Sequence, residues 1–187
     1  MPRAGLTPER VVACAGDLVD RSGYDALNLA DLADQLGIRA PSLYKHVTGL
    51  GDLRRRVALD GLRGLEAALR DAAVGRAGVE ALRGVGDAYR GYARTHPGRY
   101  AAGLRAPAPD DEEAGPVADR LIHLMVAVVG AYGLEGEDAV HAVRGVRAAL
   151  HGFVALEQAG GFGLPYDLDA SFERLVATLD AGLRQGG

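Results

Sequence analysis

The side chains with the greatest chemical reach in the N-terminal third stand together: Ser42, Tyr44, Lys45 and His46, with Arg39 just before them. All are hydrogen-bonding types, and Arg39 and Lys45 are cationic. Presented on one short helix, such a set can grip phosphate oxygens and reach base edges in a major groove, where a flexible ammonium suits the guanine acceptors. Lys45 is the only lysine in the chain. The elements that must hold this group are legible around it. Thr7-Pro8-Glu9 opens a helix with a capping hydroxyl and proline at its first position, Val12, Ala15 and Val19 share a face, and Ser22-Gly23 closes it. Asn28 caps a two-turn helix carrying Leu29, Leu32, Ala33 and Leu36 on one face, which Gly37 ends. A third short helix starts near Pro41 and stops at Thr48-Gly49. Helix, glycine turn and helix, with Ile38 and Leu43 as apolar anchors, is the layout of a helix-turn-helix. An ordinary αα-hairpin whose polar face is only solvated satisfies the same local pattern.

Downstream, Asp52 introduces a long pattern with Leu53, Val57, Leu62, Leu65 and Leu69 near helical spacing. A helix over 79–95 should end at His96-Pro97, because the residue before proline avoids helical geometry. A short helix over 97–104 follows, then a proline- and acid-rich stretch over 106–116 that reads as a mobile surface loop. Further helices are expected over 117–132, 137–158 and 169–183. There is no alternating strand pattern and no repeat. The fold class is therefore all-α: a three-helix N-terminal head over 1–50 and a C-terminal helical bundle over 51–187, about nine helices in total.

The chain has 187 residues, with 21 Lys and Arg against 25 Asp and Glu and a net charge of −4. That length excludes a large multidomain enzyme. One cysteine, Cys14, allows no intramolecular disulfide and no cysteine-rich zinc site. It lies beside Val11, Val12 and Leu18 and reads as a small buried hydrophobe, with redox sensing as the alternative. No apolar run approaches the roughly 20 residues needed to cross a bilayer, and the N-terminus lacks an apolar signal core, so a cytoplasmic location without membrane contact is expected. Acidity argues against nucleic acid as a partner, yet it is unevenly spread: eight basic residues face seven acidic ones through Arg56, and 13 face 18 beyond it. No phosphate loop, nucleophile elbow or zinc-ligand spacing is present. Neither catalysis, a metal nor a cofactor is expected.

In residues 7–23, in Leu29-Ala-Asp-Leu-Ala-Asp-Gln-Leu-Gly-Ile38, in Pro41-Ser-Leu-Tyr-Lys-His-Val47 and in Asp52-Leu53, the chain resembles the TetR family of tetracycline-repressor-like regulators. Arg99-Tyr100 after His96-Pro97, Ala149-Leu-His-Gly-Phe153, Leu156-Glu157 and Gly160-Gly-Phe162 resemble the WHG type of C-terminal domain in that family, with Leu150 where tryptophan is usual. The resemblance implies a repressor released from a palindromic double-stranded DNA operator by an unidentified small-molecule effector. It implies that Ser42, Tyr44 and His46 hold DNA, Tyr44 and His46 through phosphate. The DNA-binding set is Asn28, Arg39, Ala40, Pro41, Ser42, Tyr44, Lys45 and His46. Two departures bear on affinity: Leu50 stands where the family commonly has a lysine, and Arg39 where it has a capping serine. Arg54-Arg55-Arg56 could replace the missing phosphate contact or form a solvated helix face; Arg3 and Arg10 are weaker candidates. Leu50 and the low charge of the head motivate the alternative, a small-molecule binding protein or cryptic helical enzyme on the same fold with impaired DNA binding.

One recognition helix on a nearly neutral head binds DNA poorly, so a homodimer is expected, with half-sites roughly 34 Å apart. The resemblance puts the interface on the last two long helices, where Val143, Val146, Leu150, Phe153, Leu175 and Leu179 are candidates; the same residues can instead face the protomer's own core. Polar and aromatic side chains on otherwise apolar helices nominate a ligand pocket: Tyr89, Tyr92, His96, Tyr100, His123, Met125, Arg144 and His151. His141 and His151 share a helical face, but ten residues of helix is about 15 Å, too far for one metal to bridge.

Overall fold

A computed structural model describes residues 6–186, and Arg3 lies outside that range. Among the described residues the secondary structure is helical: α1 Pro8–Ser22, α2 Leu29–Leu36, α3 Leu50–Ala73, α4 Gly78–Thr95, α5 Pro97–Ala102, α6 Gly115–Gly130, α7 Gly136–Gln158 and α8 Leu168–Gln185, with 3₁₀ segments at Tyr24–Ala26 and Ala40–Lys45. The helix starts follow their caps. The Thr7 hydroxyl accepts the Arg10 N–H at 3.3 Å, and the Asn28 carbonyl oxygen accepts the Asp31 N–H at 2.9 Å. Gly37 ends α2 in the left-handed region (φ 66°), returning its own N–H to the Asp34 carbonyl while Ile38 bonds back to Ala33.

The chain packs as two compact units, one of Met1–Leu65 with Thr95–Gly115 and one of Glu66–Arg94 with Pro116–Gly187. The packing boundary therefore falls inside α3 rather than at residue 50, and the first unit takes in α5. Its core is Val11, Ala15 and Val19 from α1, Leu27, Leu32 and Ala33 around α2, Leu43 and Val47 in and just after the Ala40–Lys45 3₁₀ segment, Leu53 and Val57 from α3, and Ala102 from α5. Leu50 packs against this cluster half-buried, so its side chain serves the core. Cys14 is half-buried against the same cluster, and burial pushes its thiol up.

The second unit is organised around a buried cation. Arg90 on α4 donates two hydrogen bonds to Glu157 on α7 (2.9 and 2.6 Å), pairs with Asp169 on α8 (2.8 Å) and lies over the rings of Phe153 and Phe172. Hydrogen bonding to Glu157 outweighs burial and holds the guanidinium charged. Phe153 also meets Phe162 at 4.9 Å, and Gly86 lets Leu150, Val176 and Phe172 approach α4 closely.

The 106–116 stretch differs from the mobile loop expected of its composition. The Asp111 carboxylate accepts the backbone N–H groups of Glu113 (3.2 Å) and Ala114 (2.9 Å) and two hydrogen bonds from Arg55 (2.8 and 2.7 Å), which pins its middle. No described helix is long and apolar enough to cross a membrane.

Candidate nucleic-acid interface

The candidate recognition segment, the 3₁₀ helix Ala40–Lys45, is built by two buried anchors. Leu43 is fully buried and Val47 nearly so, and they fix which side of the short helix faces the core. The opposite side carries Arg39, Pro41, Tyr44 and Lys45, all exposed, flanked by half-buried Ala40, Ser42 and His46. Tyr44, 60% exposed, is a large aromatic left in solvent. The segment is 3₁₀ rather than α: Ser42 donates to the Arg39 carbonyl and His46 to that of Leu43, both at 2.8 Å across three residues. Six residues, Ala40–Lys45, with proline in the first turn and His46 as the C-cap, are too few to establish an α-helical ladder. Arg39 occupies its N-cap with extended backbone and provides no side-chain cap.

Asn28 sits at the start of α2, but its amide is already engaged: besides capping Asp31 it donates to Asp31 Oδ2 at 2.7 Å and to the Ala26 carbonyl at 3.2 Å. The turn into α3 is closed by Asp52, which accepts the Thr48 N–H (2.9 Å) and a hydrogen bond from Arg56 (2.8 Å); the Arg56 contact is the chief reason its carboxyl lies below the ordinary value.

Most other cations of the first unit have partners inside it. Arg21 donates to Gln35 (2.8 Å). Each of the three consecutive arginines is engaged: Arg54 with the Asp25 carbonyl (3.3 Å) and the Tyr24 ring, Arg55 with Asp111 and Glu113, Arg56 with Asp52. The triplet is thus neither a bare solvated face nor a free phosphate clamp. Arg99 on α5 is the most enclosed. It pairs with Asp17 (2.9 Å), Asp20 and Asp60 (3.0 Å) and donates to the Ala13 carbonyl (3.1 Å). Burial opposes its charge, but the hydrogen bonds to Asp17 and Asp20 outweigh it and hold the group above its ordinary value. Asp20 also accepts the backbone N–H groups of Gly98 and Arg99, both at 2.9 Å, and meets His96 Nδ1 at 3.3 Å. Glycine makes the fit: a Cβ at Gly16 would enter the Arg99 guanidinium, one at Gly61 the Arg99 carbonyl, and one at Gly98 the Val19 carbonyl. Arg39 and Lys45, by contrast, are in no ion pair among the described residues.

The eight residues nominated for a ligand pocket are divided. His96 and Tyr100 belong to the first unit; Tyr89, Tyr92, His123, Met125, Arg144 and His151 belong to the second. In the second unit Tyr89 and Met125 are buried, Tyr92 and His151 half-buried, and His123 and Arg144 exposed. A cavity of about 200 Å³ in the second unit is lined by other residues, among them Arg70, Val74, Arg76, Ala81, Leu124 and Val128. Small alanines leave that space, a signal periodicity does not report. Among the described residues no group of three or more His, Cys, Asp and Glu side chains could hold a metal.

Three of the six dimer candidates need correction. Val146, Leu150 and Phe153 are buried within the protomer, Leu150 against α4 and Phe153 in the aromatic cluster, and so offer no surface to a partner. Val143, Leu175 and Leu179 remain half-buried. The exposed positions of α7 and α8 are instead small or charged, with Gly145, Ala148, Ala177, Ala181 and Gly182 among them, together with Val140 and Leu156. The large apolar residues of α7 at these three positions serve the protomer's own core, which has first claim on them.

Comparison with known proteins gives a consistent result. The family description "Tetracyclin repressor-like, C-terminal domain" matches residues 82–179. An uncharacterized HTH-type transcriptional regulator of Mycobacterium tuberculosis is 40% identical over 97% of this chain and 84% of its own length. An uncharacterized HTH-type transcriptional regulator of Bacillus subtilis is 33% identical over 97% of this chain and 95% of its own. Among solved structures, a TetR variant from Acinetobacter baumannii in complex with minocycline superposes with a TM-score of 0.71 over 97% of this chain and 98% of that one, at 21% identity, a likeness of fold.

Proposed function

The chain belongs to the TetR family of transcriptional regulators, and from that premise we propose that it works as a homodimeric repressor whose recognition segment reads a palindromic operator. The observation that carries this reading is the division of labour among its cations: Arg39 and Lys45 stand exposed on the recognition segment while neighbouring arginines are engaged inside the unit. Tyr44 and His46 contact phosphate, Lys45 reads a base, Arg39 reaches phosphate or base at the helix entrance, and Ser42, Ala40 and Pro41 set how closely the backbone approaches the groove. Asn28, its side chain already used in the cap, contributes through the start of α2. Residues 1–50 are the DNA-binding part and 51–187 the effector-binding and dimerising part, acting in the cytoplasm.

Dimerisation follows from charge. A weakly charged head needs two-fold symmetry to double its contacts. The small exposed residues of α7 and α8 allow two copies to approach closely, with Val143, Leu175 and Leu179 at the edge of the contact. A small molecule bound in the second part favours an arrangement in which the two recognition segments no longer match successive major grooves, and it shifts that equilibrium only by its differential affinity for the two states. Tyr89, Tyr92, His123, Met125, Arg144 and His151 remain the polar and aromatic candidates for that ligand, with His96 and Tyr100 at the start of α5. The A. baumannii relative of this fold, whose structure is a complex with minocycline, supports a small-molecule effector in general and no particular one.

The test is selection of duplexes from a random pool by the purified protein, followed by anisotropy titration. An inverted repeat with half-sites about one helical turn apart is expected. Recovery of no preferred sequence at low salt contradicts the proposal and favours the alternative, a small-molecule binding protein on this fold.

A further inference from the structure

The first unit contains eleven Lys and Arg residues and twelve Asp and Glu, so the unit that carries the recognition segment is net acidic by one. Four of those acids are consecutive, Asp110, Asp111, Glu112 and Glu113. Without them the unit would stand at +3. Their placement is specific. Asp111 takes Arg55 in a two-pronged pair, Nε to Oδ2 at 2.8 Å and Nη2 to Oδ1 at 2.7 Å, and Glu113 takes the same Nη2 at 2.9 Å. That is the fork geometry a guanidinium also uses on phosphate. Arg55 lies in the second turn of α3, the helix that follows the recognition segment, on the side away from the core positions Leu53 and Val57. The Arg55 side chain is 42% exposed and that of Asp111 10%, so the guanidinium stays open to solvent while the carboxylate that holds it is fixed in its own turn. An exposed arginine on the helix that follows the recognition segment, held in phosphate-like geometry by carboxylates of its own chain, is the form an electrostatic brake takes.

We propose that the acidic segment 110–113 is an intramolecular stand-in for DNA phosphate, which occupies Arg55 in the free protein and holds down the affinity of the recognition unit for DNA until the duplex displaces it. The inference rests on the DNA-binding reading above. It makes binding a competition: each phosphate that takes Arg55 must first release Asp111 and Glu113, whose repulsion of the backbone adds to the cost.

The experiment uses the full chain in three forms: unmodified, Asp111→Asn/Glu113→Gln, and Asp110→Asn/Glu112→Gln. Both double variants remove two charges per protomer, but only the first removes the charges that hold Arg55. Asparagine is chosen in place of Asp111 because an amide oxygen can still accept the Glu113 and Ala114 N–H groups that shape the turn. Anisotropy is read from roughly 50 to 200 mM salt with the selected inverted repeat and with a random duplex. One recovered phosphate contact per protomer steepens the salt slope by about 0.9, or about 1.8 for a dimer, which is roughly tenfold across that salt range. The brake predicts that gain for Asp111→Asn/Glu113→Gln, a clearly smaller one for the other double variant, and loss of the advantage when Arg55→Ala is added. Equal behaviour of the two double variants, or weaker binding by the first, overturns it. Binding of duplex by the unmodified chain with no change in the variants sinks the brake and leaves the DNA-binding reading standing; no binding by any form sinks both.

Discussion

Arg99 and Lys45 are both cations of the first unit, and their surroundings are opposite. Arg99 is enclosed by three carboxylates from α1 and α3, reached through gaps that Gly16, Gly61 and Gly98 leave open. Lys45 is exposed on a short 3₁₀ segment, with Leu43 behind it as the anchor. A cation whose hydrogen bonds are all met from within fixes the protein's own geometry. One left outward on a rigid support is available for an external anion. The contrast separates residues whose loss should cost stability from those whose loss should cost binding.

The largest effect expected is from Arg99→Ala. It leaves Asp17, Asp20 and Asp60 without their shared partner, and breaking a largely buried pair costs about 3–5 kcal/mol. Thermal and denaturant unfolding should show it; an unchanged midpoint would erase the contrast. Gly98→Ala tests the same cage from the backbone side, since its Cβ would meet the Val19 carbonyl, and overpacking of this kind costs about 1–3 kcal/mol. A melting temperature equal to the parent's would mean that α5 is free to shift. Asn28→Ala removes the cap of α2, about 1 kcal/mol. It sits between the two classes, so a fall in stability larger than any fall in DNA affinity would assign it to the scaffold. The smallest effect is in pH. Hydrogen bonding to Arg55 lowers the Asp111 carboxyl to about 2. A depressed folded value means that the contact is complete above the ordinary carboxylate value of 3.8 and is lost as pH falls through about 2. A carboxyl NMR titration with a midpoint near 3.8 would show that the pair does not form.

Much of the scaffold was legible because its signals are local. Thr7, Asn28 and Gly37 act within a few residues of themselves, so the ends of α1 and α2 could be read directly, as could Leu43 as an anchor. What escaped involved partners far apart in sequence. Arg99 entered only through family resemblance, and its meeting with Asp17, Asp20 and Asp60 has no periodic signature. Glycines inside α1 and α3 were the one available hint, because glycine is costly in a helix interior unless something approaches closely. Segment 106–116 was misread for a related reason: proline and acid content describes an average loop, whereas a single carboxylate, Asp111, organises this one through Arg55. Three of the six dimer candidates, Val146, Leu150 and Phe153, lie in the protomer's own core, because an apolar helix face does not say what buries it.

The most direct test of the central claim is a paired measurement on Lys45→Ala, thermal midpoint and affinity for the selected inverted repeat on the same preparation. An exposed side chain with no internal ion pair should leave stability within about 0.5 kcal/mol of the parent. Loss of a base contact should weaken the operator by about 1–3 kcal/mol per half-site and reduce its advantage over random DNA. Undiminished preference for the inverted repeat, at unchanged stability, would contradict the assignment of sequence reading to this segment.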